Sequence, residues 1–318
     1  MPPSAPPSFA LVTPSYGPDY ERCRLLVESV GNCSQTPVRH YIIVDQRDYS
    51  QFKSLANGSA EILTVESLLP VWIHRIPLVR KAWLSFKTPP IRNWILQQLV
   101  KLSFAECAPE QTTIFVDSDV AFIRPFDLTN FSRQGQTRLF RVPEFYTPEF
   151  DPLYAAAYRL LGLEGDRSGG MRPNYIGNLI SWRQSNVKAL RDHLERVWDR
   201  PWLETLARSK TLSEYILYGV FVDQVLGESA NHFYDWSPLC HEYWPPLPLS
   251  DQQLAEFFAA TQPSHIAIMV SSKARIDPIR YQPYLYHRWS ASVSSMPSQH
   301  IFYALILTHF LVPTTLIN

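Results

Sequence analysis

The sequence predicts an α/β fold with a mixed, mostly parallel sheet flanked by helices. Short, continuously apolar runs such as 9–13 and 40–45 are typical of strands that are buried on both faces. A segment with helical spacing of apolar residues, 19–30, lies between these two runs, and alternating strands and helices favour parallel pairing. Of the 318 residues, 46% are hydrophobic, which is enough for a sizeable core.

The predicted elements follow one another in chain order. The first strand is closed by Pro14 and Gly17, and the basic segment 72–90 is predicted to be irregular. The other predicted elements are a helix at 19–30, strands at 40–45 and 61–65, a helix at 91–107, apolar runs at 112–116 and 120–123, a strand within 174–182, helices at 186–198 and 213–226, and a strand at 265–270.

The charge balance and the glycine content exclude several kinds of partner and site. Twenty-nine Lys and Arg balance 29 Asp and Glu, so the chain lacks the basic field that attracts nucleic acid. Only 11 residues are Gly, and neither G-x-G-x-x-G nor G-x-x-x-x-G-K-[ST] occurs. A phosphate site would therefore depend on a metal or on side-chain cations, and Arg80 is a candidate diphosphate contact.

The cysteines and the apolar stretches indicate a cytoplasmic protein. Four scattered Cys without a C-x-x-C pair suggest reduced thiols rather than a disulfide framework. The Pro-rich start lacks the basic and apolar regions of a signal peptide. The longest apolar stretch, 301–312, is shorter than the roughly 18 residues that a membrane-spanning helix needs. We therefore expect no transmembrane segment.

The segment most informative about function is Asp117-Ser118-Asp119, between the apolar runs 112–116 and 120–123. Residues i and i+2 of an extended segment face the same side, so the two carboxylates are expected to point together. Ligands of open α/β sheets bind at the carboxyl ends of the strands. Two carboxylates so close repel unless a cation lies between them or one is protonated, and Mg²⁺ or Mn²⁺ bound to a diphosphate would remove that repulsion. The alternative is an acidic surface turn.

The stretch 116–126, with its D-x-D, resembles the metal-binding strand of nucleotide-diphospho-sugar glycosyltransferases of the GT-A fold. It is most similar to the retaining group that includes glycogenin and bacterial lipooligosaccharide galactosyltransferases. Tyr175-Ile-Gly-Asn178 is similar to the segment of that group that meets the donor sugar and the acceptor, although Gly and Asn are in the opposite order. Other parts of the chain look closer to a bacterial family of unassigned GT-A-like proteins.

This resemblance implies roles for individual residues. Asp117 and Asp119 would bind Mn²⁺ or Mg²⁺, and His265 would be a third metal ligand. Lys273 would contact the diphosphate. The segment from Thr13 to Tyr16 would meet the uracil and the ribose of the donor.

Other candidates have a functional and a structural interpretation. Glu214 either holds a sugar or acceptor hydroxyl or is an acid favoured at a helix start. Asn178 is a hydrogen-bond donor to a sugar or a turn residue. Lys101 pairs with the donor phosphates or Asp117, or lies on a solvated helix face with Gln97. Asp45 meets the nucleotide or is a plain turn acid.

The predicted protein is thus a metal-dependent glycosyltransferase that moves a sugar, most simply from a UDP-sugar, to a carbohydrate or glycolipid acceptor. The catalytic domain would span 8–275, with a nucleotide-binding half at 8–125 and a sugar and acceptor half at 126–275. Residues 276–318 would form a C-terminal extension. The stereochemistry stays open. Two alternatives are a nucleotidyltransferase on a similar sheet and a non-catalytic carbohydrate-binding protein.

Overall fold

A computed structural model describes residues 8–75, 82–165 and 170–294. Its helices are α1 (Tyr20–Cys33), α2 (Tyr49–Phe52), α3 (Val65–Leu68), α4 (Asn93–Cys107), α5 (Asp151–Leu161), α6 (Gln184–Trp198), α7 (Trp202–Ala207), α8 (Glu214–Phe221), α9 (Asp251–Ala259) and α10 (Pro278–Ser294).

The strands of the same residues are short. They are β1 (Phe9–Pro14), β2 (Arg39–Val44), β3 (Ala60–Thr64), β4 (Ile73–Arg75), β5 (Ala82–Ser85), β6 (Ile91–Arg92), β7 (Thr112–Phe115), β8 (Val120–Phe122), β9 (Ser132–Arg133), β10 (Gln136–Phe140), β11 (Val142–Phe145), β12 (Arg172–Asn174), β13 (Ile180–Arg183), β14 (His232–Asp235), β15 (Cys240–Tyr243) and β16 (Ala267–Val270).

The central sheet has the strand order β13-β7-β1-β2-β3. The pairs β7–β1, β1–β2 and β2–β3 are parallel, and only β13 runs antiparallel to its neighbour, β7. The side chains of β1 alternate between two cores, as expected for a strand covered on both faces. The predicted fold class, a mixed, mostly parallel sheet flanked by helices, is confirmed.

Different helices cover the two faces of this sheet. Val12 packs in one core with α4, α6 and α8, which contribute Leu99, Leu190 and Ile216 among others. Leu11 packs in the second core with α1, α9 and α10. Helices α4 and α8 therefore lie on the same face of the central sheet.

A smaller sheet continues from the carboxyl end of the central sheet. Its order is β15-β16-β8, with β15 parallel and β8 antiparallel to β16. The chain passes from β7 in the central sheet to β8 in this smaller sheet through Asp117-Ser118-Asp119. The D-x-D segment therefore lies where the two sheets meet.

Three sequence predictions differ from the structure. The segment 72–90 was predicted to be irregular, yet its described residues include β4 and β5, which with β6 form a small antiparallel sheet. The predicted helix at 91–107 starts at Asn93, because Ile91 and Arg92 pair with β5. The predicted strand within 174–182 is not continuous. Residue 174 ends β12, which pairs with β11, and residues 180–182 belong to β13, which pairs with β7.

The described part of the predicted C-terminal extension packs on the rest of the chain. Tyr281, Leu285 and Trp289 of α10 are buried in the second core, and the Trp289 indole donates to the Phe122 carbonyl at 2.9 Å. The predicted boundary at 275 stays a prediction. Among the described residues, no helix combines the length and apolar character needed to cross a membrane.

Candidate functional site

The two D-x-D carboxylates are held at the junction of the sheets by neighbouring strands. The Val270 amide donates to the Asp119 carbonyl at 3.2 Å, and the Ser272 amide donates to Oδ2 of Asp119 at 2.8 Å. The end of β16 therefore fixes the Asp119 side chain. The Asp117 side chain is 46% exposed and faces a cavity.

The carboxylates of Asp19, Asp117 and Asp119 lie close together at this junction. Burial, together with the charge of Asp117, raises the pKa of Asp119 to about 7, although the Ser272 amide opposes the shift. Asp19, whose Oδ2 lies 3.5 Å from the Ser118 hydroxyl, also has a raised pKa because it is buried. A cation placed among these carboxylates would remove the repulsion that raises the pKa of Asp119.

A buried lysine links Asp117 to helix α8. The ammonium of Lys101, on α4, lies 3.0 Å from Oε1 of Glu214, 2.9 Å from the Tyr215 hydroxyl and 3.7 Å from Oδ1 of Asp117. Burial disfavours the ammonium, but Tyr215, Glu214 and Asp117 outweigh it and hold the pKa of Lys101 well above its usual value. The predicted pairing of Lys101 with Asp117 is present, and Lys101 is not on a solvated face.

Glu214 is at a helix start, as its structural interpretation expects, and its contact with a sugar or acceptor stays a prediction. It is the first residue of α8, whose N-cap Ser213 accepts from the Ile216 amide at 3.4 Å. Its own amide donates to Oε1 of Gln98 on α4 at 2.9 Å. Its buried carboxylate pairs with Lys101, and it lines the same cavity as Asp117.

This D-x-D cavity has a volume of about 400 Å³. Lys273 lines it from the turn after β16, and Tyr16 and Trp94 line it with half-exposed rings. Its charged lining residues are Asp19, Lys101, Asp117, Asp119, Glu214 and Lys273. Four carboxylates and two ammonium groups therefore surround one concave space.

A second cavity, of about 310 Å³, adjoins the first, and Tyr16 and Trp94 line both. Asp45 lines this second cavity, where its Oδ2 lies 3.3 Å from Nε of Arg75 and 3.4 Å from Nε of Arg47. Asp45 therefore pairs with two arginines, and its contact with the nucleotide stays a prediction. The guanidinium of Arg75 lies 5.2 Å from the centre of the Trp83 ring.

Three predicted site residues are elsewhere. Thr13 is fully buried, and its hydroxyl bonds Nε2 of His40 at 2.9 Å, so it supports β1 and does not line either cavity. Asn178 and His265 line a third cavity of about 450 Å³. Arg80 lies outside the described residues.

The structure does not place His265 beside the D-x-D carboxylates, with which it was expected to bind a metal. Strand β16 runs antiparallel to β8, with Met269 opposite Val120 and Ala267 opposite Phe122. Asp119 is therefore beside Val270 at the end of β16, whereas His265 precedes the start of this strand, five residues before Val270. Among the described residues, no group of three or more His, Cys, Asp and Glu side chains is placed to hold a metal ion.

The sequence interpretation missed two residues of these cavities. Glu242, on β15, accepts from Nδ2 of Asn178 at 2.9 Å and from the Trp244 indole at 2.7 Å, so it organises the third cavity. Trp94 belongs to no motif. Its position one helical turn before Gln98 on the predicted helix could have indicated that both residues line the same cavity. Trp244 and Ile176 line both the third cavity and the D-x-D cavity, which makes the two adjoin.

The fold and this site define a mixed α/β protein with an acidic cavity at the carboxyl edge of its sheet. Residues 9–282 match the family of unknown function DUF6492, and the chain belongs to this family. No curated protein matches the chain. A solved structure of the bifunctional glycosyltransferase WbbM, in its apo state, is similar with a TM-score of 0.43 and 10% identity, over 91% of this chain and 53% of that one. The chain thus spans about half the length of that structure.

Proposed function

We propose that this protein transfers a sugar from a nucleotide-diphospho sugar, with a UDP-sugar as the favoured donor, to a carbohydrate or glycolipid acceptor. The observation that carries the proposal is the grouping of Asp117, Asp119, Lys101 and Lys273 around one cavity that adjoins a second, aromatic-lined cavity. The D-x-D cavity suits the diphosphate and the sugar of one donor, and the second cavity suits its nucleoside.

The second cavity supports the nucleoside part of the proposal. Its half-exposed rings, Tyr16 and Trp94, offer flat apolar surface for a base. The Asp45 carboxylate, held by Arg47 and Arg75, can accept hydrogen bonds from ribose hydroxyls.

The donor set at the D-x-D fits a divalent ion that is shared with the substrate. Mg²⁺ is commonly bound through one or two carboxylates together with substrate phosphates, so Asp117 and Asp119 suffice without His265. The raised pKa of Asp119, caused by burial and by Asp117, supports a cation here. When bound, Mn²⁺ or Mg²⁺ would act as a Lewis acid that neutralises the diphosphate charge.

The remaining charged residues have roles that follow from their positions. The ammonium groups of Lys101 and Lys273 place positive charge beside the space for the diphosphate, where it stabilises the negative charge that develops on the leaving group. Glu214 lines the same space as a carboxylate paired with Lys101, suited to bind a sugar hydroxyl. Asn178 and Glu242 offer hydrogen bonds to an acceptor in the adjoining third cavity.

A donor screen tests this proposal. The protein is incubated with UDP-, GDP-, ADP- and dTDP-sugars, with Mn²⁺ or after removal of divalent ions, and release of the nucleoside diphosphate is measured. We expect Mn²⁺-dependent release from at least one UDP-sugar, and loss of that release in Asp117→Asn. Asp192→Asn, an exposed acid on α6 that pairs with Arg191, is the matched control. Release from none of the donors, or equal release by Asp117→Asn, would contradict the proposal.

A further inference from the structure

A large cavity away from the D-x-D is lined by positive charge. Its volume is about 570 Å³, and α5, the end of α6, α7 and the segment 208–211 form its walls. We call it the cationic cavity, because its charged lining residues are Arg159, Arg200, Arg208 and Lys210, and no carboxylate is among the described residues that line it.

These four cations have few counter-charges. Nη2 of Arg208 lies 2.8 Å from Oε1 of Glu204, which does not line the cavity. The guanidinium of Arg200 lies 5.8 Å from the Trp198 ring. Within the parts of the chain that the structure describes, Arg159, Arg200 and Lys210 form no salt bridge. Three uncompensated positive charges thus share one concave space.

The walls between the charges are mostly apolar. Pro152, Ala155 and Leu160 line the cavity, as does the half-buried ring of Trp198. The hydroxyl of Thr205, another lining residue, is buried and has no hydrogen-bond partner among the described residues. An anion bound in the cavity would reduce the repulsion between the cations.

We propose that the cationic cavity binds the phosphate group of a small organic anion, such as a sugar phosphate. Arginine presents a planar set of N–H donors that matches phosphate oxygens, and three of the four cations are arginines. The apolar wall with Trp198 suits the organic part of the ligand. This inference does not depend on the proposed transfer reaction.

The site lies close to the D-x-D cavity but is separate from it. On α5, Leu153 lines the D-x-D cavity, whereas Ala155 and Arg159 line the cationic cavity. In the segment that leads into α8, Thr211 lines one cavity and Ser213 lines the other. Binding at one site can therefore be measured while the other is disabled.

Calorimetric titration in metal-free buffer at constant ionic strength tests the proposal. Glucose 1-phosphate and inorganic phosphate are titrated into the wild type, into the double variant Arg159→Gln/Lys210→Gln, and into the control Lys188→Gln/Arg196→Gln. The control removes two exposed charges of α6 that do not line the cavity. We expect the first double variant to weaken glucose 1-phosphate binding about tenfold or more, and the control and Asp119→Asn to bind like the wild type.

Each outcome of the titration decides the proposal. Absence of binding to the wild type overturns it, as does equal weakening by the control pair or loss of binding in Asp119→Asn. Circular dichroism and thermal melting show whether all the variants are folded, and the residues changed in the two double variants are exposed. Tighter binding of glucose 1-phosphate than of inorganic phosphate assigns the organic part to the Trp198 wall. Equal binding of the two, still lost in the double variant, supports a site for the free ion.

Discussion

The D-x-D cavity and the cationic cavity share α5 and the segment 209–214 but carry opposite charge. Four carboxylates line the first, and its central cation, Lys101, is buried and paired with Glu214. Four exposed cations line the second cavity. Among the described residues, only Arg208 of these four pairs with a carboxylate, that of Glu204. A chain with a formal net charge of 0 can thus contain two strongly charged sites, which its composition does not reveal.

The two cavities also differ in how their charges are held. Packing between α4 and α8 fixes Lys101 and Glu214, so we expect changes there to alter stability as well as binding. The side chains of the cationic cavity extend from the surface and are screened by water and salt. Changes there should alter ligand binding and leave stability almost unchanged.

The largest effect is expected for Lys101→Met. Removing the ammonium leaves Glu214 buried without its partner, which should lower the free energy of unfolding by about 3–5 kcal/mol. Urea denaturation at pH 7 measures this change. Lys188→Met, which removes an exposed lysine of α6, should change stability by less than about 0.5 kcal/mol. A loss below about 1 kcal/mol for Lys101→Met would show that the buried network does not depend on its cation.

A pH effect on stability is expected from His40, behind the D-x-D cavity. Burial lowers the pKa of His40 to about 4, and His40 holds Thr13 of β1. Between about pH 6.5 and 4 the unfolded chain binds the proton and the folded chain does not, so stability falls with falling pH, by up to about 1.4 kcal/mol per unit. The stability that neutral His40 contributes is fully retained above pH 6.5.

Denaturation of His40→Gln between pH 4 and 7 checks this assignment. The variant should show a shallower loss of stability on acidification than the wild type. Lys210→Gln, which changes an exposed residue of the cationic cavity, is the control and should keep the wild-type slope. An unchanged slope in His40→Gln would contradict the assignment.

A smaller effect of the opposite sign is expected for Asp119→Asn without divalent ions. Burial and Asp117 disfavour the charged form of Asp119, and the Asn amide oxygen can still accept from Ser272. At pH 8 the variant should therefore be more stable than the wild type by about 1 kcal/mol. Asp192→Asn is the matched control, since Asp192 is exposed and pairs with Arg191. If Asp119→Asn were less stable than the wild type, repulsion between the carboxylates of Asp117 and Asp119 would not destabilise the folded protein.

The smallest effect is expected for Lys210→Gln. Removing one of four like charges should raise the free energy of unfolding by up to about 0.5 kcal/mol in low salt, and the gain should vanish in high salt. Thermal unfolding at two ionic strengths measures it, with Lys188→Gln as the control. A clear loss of stability in Lys210→Gln would place this lysine in a structural network like that of Lys101.

Local patterns predicted the parts of the D-x-D cavity that lie within single elements. Asp117 and Asp119 follow an apolar strand, and Lys101 lies one turn after Gln97 on a helix, so spacing along the chain was enough to mark them as candidates. The pairing of Lys101 with Glu214 could not be predicted in this way, because it depends on how α4 packs against α8.

The placements that differ from the sequence predictions depend on register between distant strands. The position of His265 is set by the antiparallel pairing of β16 with β8, which the sequence does not encode locally. Thr13 points into the core because alternation along β1 directs its side chain to His40. The cationic cavity combines α5, α6 and α7 with a loop, and none of its residues forms a motif in the sequence.

The central claim is that the D-x-D cavity binds a nucleoside diphosphate together with a divalent cation. Calorimetric titration of UDP with and without Mn²⁺ tests it most directly, in the wild type, in Asp119→Asn and in Arg159→Gln/Lys210→Gln. We expect Mn²⁺ to raise UDP affinity about tenfold or more in the wild type and in the double variant, and to have no effect in Asp119→Asn. UDP binding that is independent of Mn²⁺, or a Mn²⁺ effect that persists in Asp119→Asn, would contradict the claim.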